Sequence, residues 1–225
     1  LRPGELIRAL SDYPRQMVID TRPAAEFALE HPEGAINVPW NRAFLTWMGS
    51  LFPGDGDLLL ITHADDAERK QIVEDLSLIG FDKVVGISDT RAFDDLRRNG
   101  GIMRSIALLS ADDVAERASN GVTIVDVRRQ DEWDEGHIPD AVHIPLTALS
   151  HRLDEIPLDA PVVVHCRGGT RGAIAASIFQ RSGRSDVANF TGGFAEWERS
   201  GREVSRDGDG RPDRKASPEP ATVER

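Results

Sequence analysis

The chain contains a single cysteine, Cys166, which lies in the segment VVVHCRGGTR at residues 162–171. The apolar run before the cysteine predicts a buried strand, and the apolar run after the loop predicts a helix. A thiol between them faces backbone N–H groups and the positive end of a helix dipole, and Arg167 and Arg171 add positive charge. Each of these effects favours the thiolate over the thiol. The segment therefore predicts a nucleophilic cysteine.

A buried core thiol is the alternative interpretation, because free cysteines are often packed in protein interiors. A core thiol would be followed by more apolar sequence, whereas Cys166 is followed by Arg-Gly-Gly-Thr-Arg. Such polar residues do not pack into a dry core, so we favour the nucleophile. One cysteine also excludes an internal disulfide and leaves no second thiol to resolve an oxidised one.

Composition narrows the class of protein. A chain of 225 residues allows one large or two ordinary domains, and an apolar content of 40% supplies a core for each. The net charge of −11 argues against nucleic acid or an anionic membrane as the main partner. The sequence has no membrane-spanning apolar run and no signal-peptide pattern at its start, so a cytoplasmic location is expected. No metal site and no cofactor are predicted.

The chain repeats itself with a period of about 100 residues. The repeat is carried by residues 18–22 and 124–128, Glu26 and Glu132, and His31 and His137, all at an offset of 106, and by residues 58–62 and 162–166 at an offset of 104. A period of this length indicates duplicated domains rather than a solenoid of small units. The glycines in Asn99-Gly100-Gly101 mark the expected boundary.

Each half alternates short apolar strands with helices, which predicts an α/β fold in which a parallel sheet is flanked by helices on both faces. We expect one domain over residues 1–101 and a second over residues 102–204. The Asp, Gly, Pro and Arg content of residues 205–225 predicts a disordered tail. Sites in such sheets lie at the carboxyl ends of the strands, where the pattern places both Asp126 and Cys166.

The second half is similar to the rhodanese (sulfurtransferase) family over nearly its whole length. The matching segments are Asp126-Val127-Arg128, Glu132, residues 136–141 (Gly-His-Ile-Pro-Asp-Ala), residues 165–171 (His-Cys-Arg-Gly-Gly-Thr-Arg) and residues 192–197 (Gly-Gly-Phe-Ala-Glu-Trp). These motifs in the right order form a specific signal. The resemblance implies a cysteine that accepts sulfane sulfur as a persulfide and passes it from a small-molecule donor to a thiol or to cyanide.

The resemblance and the charge pattern together suggest roles for the residues near Cys166. Arg171 is expected to act with the cysteine by countering negative charge at the helix entrance. His165 precedes the cysteine on a strand, so its side chain should point to the opposite face. His137 is expected to be a structural turn histidine. The predicted binding residues are Arg167, Gly168, Gly169 and Thr170, whose backbone N–H groups would face the outer sulfur, and Asp126 and Arg128, for which a purely structural ion pair is the alternative.

The length of the loop after Cys166 distinguishes sulfur transfer from phosphate chemistry. Four residues lie between Cys166 and Arg171, whereas cysteine phosphatases place five there and so form a ring wide enough for phosphate. The smaller ring suits a single sulfur atom, so a phosphatase or arsenate reductase is less favoured. Gly168 and Glu132 stand where two-domain thiosulfate enzymes tend to carry basic residues. A glutamate near the mouth would repel a dianion, so a persulfide such as glutathione persulfide is as good a candidate donor as thiosulfate.

The first half resembles the same family without its chemistry. Thr62 takes the position of Cys166, and the loop at residues 63–68 carries three carboxylates. We interpret this half as a degenerate structural domain. Because interfaces between domains of one chain are usually modest and polar, we expect residues 103–205 to work without it.

A further resemblance concerns the apolar residues 43–53, which are similar to a segment of fusion proteins. In those proteins, tandem rhodanese domains follow a metallo-β-lactamase-fold persulfide dioxygenase domain. The chain could therefore be the C-terminal part of such a fusion. A non-catalytic regulatory or interaction module of that fusion is the alternative function.

Overall fold

Residues 16–206, which the computed structural model describes, form two consecutive α/β units. The first unit contains β1 (Gln16–Asp20), α1 (Ala24–Leu29), β2 (His31–Pro32), β3 (Ile36–Asn37), α2 (Phe44–Leu51), β4 (Asp57–Ile61), α3 (Asp66–Ser77), β5 (Val84–Ser88) and α4 (Ala92–Arg98). Its α3 begins with the capping box that Asp65 and Glu68 form, since each side chain accepts a hydrogen bond from the other residue's backbone N–H.

The second unit begins with three further elements, two short strands and a helix, and then repeats most of the order of the first unit. It contains β6 (Met103–Arg104), β7 (Ala107–Leu109), α5 (Ala111–Ser119), β8 (Thr123–Asp126), α6 (Gln130–Asp134), β9 (Val142–His143), 3-10 helices at Leu146–His151 and Leu153–Glu155, β10 (Val162–His165), α7 (Thr170–Arg181), β11 (Val187–Phe190) and α8 (Gly193–Arg199). Ser110 caps α5 by accepting a hydrogen bond from the backbone N–H of Asp113.

Both units are built on parallel sheets with the same internal strand order. The first sheet has the order β3-β1-β4-β5, and the second has the order β7-β11-β10-β8-β9. Every pair within the two sheets is parallel, and all four residues of β10 are buried. A strand buried on both faces is apolar throughout, which explains the run Val162–Val164. The predicted α/β class with parallel sheets is confirmed.

Short pairings tie the ends of the units together. Beyond the expected boundary, β6 pairs antiparallel with β2 of the first unit, His31 opposite Arg104. Ser205, which the sequence assigns to the disordered tail, is ordered: it exchanges two backbone hydrogen bonds of 2.9 Å with His137. Residues 207–225 of that tail and residues 1–15 of the first domain lie outside the described residues.

Helix α7 lies between the two units and is buried on all sides. Residues 172–179 are all buried, because the helix packs on β10 and β11 of its own sheet and on β3 of the first unit. A helix that is apolar all round needs such cover on every face. One continuous hydrophobic cluster therefore contains side chains of both units, including Ile36 and Met48 from the first and Ile174 and Phe179 from the second.

The shared core contradicts the expectation of a modest, polar interface. The apolar segment at residues 43–53 contributes to it, since Phe44 and Met48 are fully buried and α2 packs against the 3-10 helix Leu146–His151. The polar contacts across the interface are specific: the backbone N–H of Asn37 donates to Ser177 Oγ at 3.1 Å, and a His31 ring nitrogen lies 2.9 Å from Gln180 Oε1. The first unit is therefore part of the support of α7.

We expect the second unit to be unstable when it is expressed alone. Residues 102–206 without the first unit would expose the apolar face of α7, and each large side chain returned to water loses about 1.5–3 kcal/mol. The fragment should associate or melt more than about 10 °C below the full chain, as measured by sedimentation and calorimetry. Adding residues 1–101 as a separate chain should restore stability. A monomeric fragment as stable as the full chain would contradict the shared core.

The hydroxyl group of Ser177 offers a second test of the interface between the two units. Ser177 Oγ accepts from the Asn37 N–H and donates to the Ile174 carbonyl, so Ser177→Ala leaves a buried N–H unpaired. We expect the free energy of unfolding to fall by about 1–3 kcal/mol in chemical denaturation. Ser119→Ala is the matched control, because Ser119 makes the same local bond to the Glu116 carbonyl on an exposed helix end. Equal effects of the two changes would rule out a role in the interface.

Candidate active site

Cys166 follows the last residue of β10 and is 2% exposed. Its Sγ accepts a hydrogen bond from the backbone N–H of Gly169 at 3.2 Å, and Gly169 is the residue immediately before α7. Gly169 adopts a left-handed backbone conformation with φ of 90°, and a Cβ there would lie 2.4 Å from the Thr191 carbonyl oxygen. Only glycine can turn the loop so that this N–H meets the sulfur. The predicted placement of the thiol at the helix N-terminus is thus observed.

Backbone N–H groups in the first turn of α8 hold the Cys166 loop in place. The backbone N–H of Phe194 donates to the Cys166 carbonyl at 2.8 Å, and that of Ala195 donates to the Arg167 carbonyl at 3.1 Å. A Cβ on Gly193 would lie 2.3 Å from the Cys166 carbonyl oxygen, so this close approach also requires glycine. The loop backbone is fixed on two sides, while Arg167, Gly168 and Thr170 are exposed to solvent.

Arg171 at the start of α7 forms a two-pronged ion pair with Glu132 of α6. Nη1 lies 2.5 Å from Oε2 and Nη2 lies 2.8 Å from Oε1. These hydrogen bonds lower the pKa of Glu132 from its ordinary value of 4.5 to about 2. They also raise the pKa of Arg171, with a further contribution from the negative charge that Cys166 can carry. Both Glu132 and Cys166 therefore act electrostatically on Arg171.

This pair changes the interpretation of Glu132. The sequence places a bare carboxylate near the mouth, whereas the structure shows a carboxylate engaged by Arg171 and only 8% exposed. The repeat gave no signal for the pairing, because the glutamate is present in both halves. In the first half Ala67 takes the position of Arg171, and the half-buried Glu26, which corresponds to Glu132, lies 3.4 Å from His63 instead. Only the arginine differs between the halves.

Asp126 and Arg128 form a buried pair beneath the loop. Arg128 donates to the Asp126 carboxylate from its backbone N–H and from Nε, its Nη2 donates to the Gly136 carbonyl at 2.7 Å, and its guanidinium lies 4.1 Å from the centre of the Phe194 ring. Burial opposes ionisation of Asp126, but His165 and Arg128 outweigh it and hold the pKa of that carboxyl below its usual value. The geometry is that of the structural ion pair, and it braces α6 and α8 against β8.

The same brace occurs in the first unit. Arg22 donates to both oxygens of Asp20, reaches the Glu30 carbonyl at 2.9 Å, and lies 5.0 Å from the centre of the Phe93 ring. Two units that differ at the cysteine position therefore share this pair.

The histidines near the site have structural surroundings. The His165 ring is fully buried, with Nδ1 3.2 Å from the Cys166 carbonyl oxygen, and burial lowers its pKa. Within the described residues its ring makes no hydrogen bond to the sulfur. His137 stacks on Trp133 at 3.6 Å between ring centres, which matches the structural turn histidine that the sequence predicts.

The corresponding loop of the first unit is organised differently. Thr62 Oγ1 accepts from the backbone N–H of Ala64 at 3.1 Å, so the hydroxyl closes its own turn. Two of the three carboxylates of this loop, those of Asp65 and Glu68, form the capping box of α3. Acidic side chains at this position satisfy helix N–H groups that the second unit leaves near the sulfur.

Both halves of the chain match the sequence profile of the rhodanese-like domain, over residues 2–90 and 110–200. The chain therefore belongs to the rhodanese-like domain family. It is 39% identical over 80 residues to a sulfurtransferase of Allochromatium vinosum, a match that covers 36% of this chain and 75% of the relative. It is 38% identical over 77 residues to thiosulfate sulfurtransferase GlpE of Pseudomonas syringae pv. syringae, covering 34% of this chain and 73% of the relative.

Among solved structures, the chain is similar to a rhodanese-related protein from Thermoplasma volcanium. The identity is 26% with a TM-score of 0.42, and the match covers 44% of this chain and 97% of that one. Within residues 16–206 the structure contains no helix long and apolar enough to cross a membrane. The same residues form no group of three or more His, Cys, Asp or Glu side chains that could hold a metal ion.

The depressed pKa of Glu132 predicts a pH dependence of stability. The folded-state pKa lies below the unfolded value, so the stabilisation is complete above about pH 4.5 and is lost as the pH falls toward about 2. Wild type should therefore lose stability relative to Glu132→Gln across this range in denaturant titrations. A difference between the two chains that stays constant with pH would show that the ion pair does not contribute.

Proposed function

We propose that the chain is a sulfurtransferase in which Cys166 carries a sulfane sulfur from thiosulfate or a low-molecular-weight persulfide to a thiol or to cyanide. The observation that carries the proposal is the hydrogen bond from the Gly169 N–H to Cys166 Sγ at the N-terminus of α7. This geometry stabilises a negative sulfur, and it occurs in the unit that has the cysteine.

In the first step the Cys166 thiolate attacks the sulfane sulfur of the donor. A new S–S bond forms to Cys166, the S–S bond of the donor breaks, and its electron pair leaves with sulfite or with the thiolate of the persulfide. In the second step the acceptor attacks the outer sulfur of the cysteine persulfide. The Cys166 thiolate leaves and the acceptor takes the sulfur, so no external oxidant or reductant is needed.

The Cys166 loop is open on the side of Gly168. A Cβ at Gly168 would meet no atom within 4 Å, so the loop is open there, while the opposite side is closed by Gly193 and Phe194. We assign the binding of the persulfide to Arg167, Gly168, Gly169 and Thr170, and the charge at the helix entrance to Arg171. In this proposal Asp126 and Arg128 act only by holding α6 and α8 in place.

Three expectations from the sequence accompany this proposal. Donor and acceptor are small molecules, the protein works in the cytoplasm, and the resemblance of residues 43–53 makes a metallo-β-lactamase-fold domain a candidate partner in the same polypeptide. The alternative, a non-catalytic module, is an outcome of the experiment below.

Intact mass spectrometry tests the assignment. After incubation with thiosulfate or glutathione persulfide, the chain should gain one sulfur atom and lose it on addition of cyanide. Cys166→Ser should reduce transfer by more than about 1000-fold, because the intermediate cannot form, and wild-type kinetics should be ping-pong.

The first unit provides a matched control. The double variant Thr62→Cys, Cys166→Ser has its only thiol at the corresponding position of the first unit. Because the loop there is acidic, this variant should not regain sulfur transfer. Activity that survives Cys166→Ser would overturn the proposal. A wild-type chain that never gains sulfur would favour the non-catalytic module, and Cys166-dependent turnover of an aryl phosphate would favour a phosphatase.

A further inference from the structure

The mouth of the Cys166 loop carries less uncompensated positive charge than its arginines suggest. Both Nη atoms of Arg171 are bound by Glu132, at 2.5 and 2.8 Å. Glu132 is itself held in place, since it also accepts a hydrogen bond from the backbone N–H of Arg129 at 3.2 Å. The carboxylate stays ionised throughout the physiological pH range, because its pKa is lowered to about 2. The charge of Arg171 is therefore available to an incoming anion only in competition with Glu132.

The remaining arginines add little to the field at the mouth. Arg129 binds Asp131 through Nε at 2.9 Å and through Nη2 at 2.7 Å. The Arg167 guanidinium is exposed and makes no hydrogen bond or ion pair with any residue in the described range 16–206. Of these three side chains, Arg167 alone is not matched by a carboxylate, and solvent screens an exposed charge strongly.

We infer that Glu132 is a specificity-determining residue that favours donors whose leaving group carries one negative charge over thiosulfate, whose leaving group carries two. The inference rests on the proposed sulfur transfer. A carboxylate fixed beside Arg171 repels a dianion and withholds the paired cation from it. It penalises a singly charged leaving group less. Thiosulfonates meet this condition, and so do persulfides whose other groups carry no net charge.

Thiosulfate and methanethiosulfonate transfer the same sulfur atom to Cys166 but release leaving groups of different charge. With thiosulfate, attack by the Cys166 thiolate breaks the donor S–S bond and the electron pair leaves as the sulfite dianion. With methanethiosulfonate, the same bond breaks and the electron pair leaves as the methanesulfinate monoanion. Both reactions form the same cysteine persulfide, so the ratio of the two kcat/KM values reports the discrimination between charges.

The experiment measures this ratio for the full chain and for Glu132→Gln, with cyanide as acceptor. Wild type should prefer methanethiosulfonate by about tenfold or more, and Glu132→Gln should move the ratio toward thiosulfate by about tenfold. Arg171→Gln should move it the opposite way, because that change leaves the carboxylate without its partner. Circular dichroism identifies any variant that fails to fold. If one variant does not fold, the inference is judged from the donor ratio of wild type and of the variant that does fold.

Two matched controls remove other carboxylates. Glu135→Gln acts at the exposed residue that follows the same helix, and Glu26→Gln acts at the corresponding position of the first unit; neither should move the ratio. The inference is overturned if wild type shows no preference, if Glu132→Gln changes both donors equally or not at all, or if a control shifts the ratio as much.

Failure of the inference and failure of the proposed function are distinguishable. If neither donor adds sulfur to Cys166 in the mass measurement, sulfur transfer itself is wrong. If sulfur is added and turned over while the ratio is insensitive to Glu132, only the specificity role is wrong.

Discussion

The burial of α7 between two sheets is the constraint on which the rest of the structure depends. Residues 172–179 are all buried and, apart from Ser177, apolar, so the helix needs one sheet on each side. Its own unit supplies β10 and β11, and the first unit supplies β3. Because Cys166 precedes this helix, the position of the sulfur relative to the helix N–H groups is set by packing that involves both halves. A unit without a cysteine is thereby retained as part of the support of the site.

Two arginines near Cys166 are each paired with a carboxylate, so the site does not collect unpaired positive charge from them. The Asp126–Arg128 pair is buried beneath the loop, and the Glu132–Arg171 pair lies at its entrance. Burying an ion is costly unless it is paired and hydrogen-bonded, and both Arg128 and Arg171, which are shielded from solvent, have a carboxylate partner. The sulfur then depends mainly on the backbone N–H of Gly169 and on the helix dipole, which favour one negative charge at short range.

The two units show which parts of a duplicated fold are structural. The buried Asp-x-Arg pair, the stacked histidine and the strand order occur in both. The cysteine, the two loop arginines and the left-handed Gly169 occur only in the second. The first unit has Thr62 at the cysteine position, and carboxylates of its loop cap α3. These carboxylates stabilise the start of the helix, and their negative charge would repel an anionic sulfur there.

The sequence by itself determined the α/β class, the repeat, and the position of Cys166 between a strand and a helix, because these depend on local periodicity, glycine placement and spacing along the chain. It also identified Asp126 and Arg128, though not their burial. Only the tertiary structure decided that Glu132 binds Arg171 and that α7 is shared by both units. These features join residues that are 39 and 140 positions apart in the chain, as in the pairs Glu132–Arg171 and Asn37–Ser177. Contacts of that kind follow from how the sheets pack, which no local pattern in the sequence specifies.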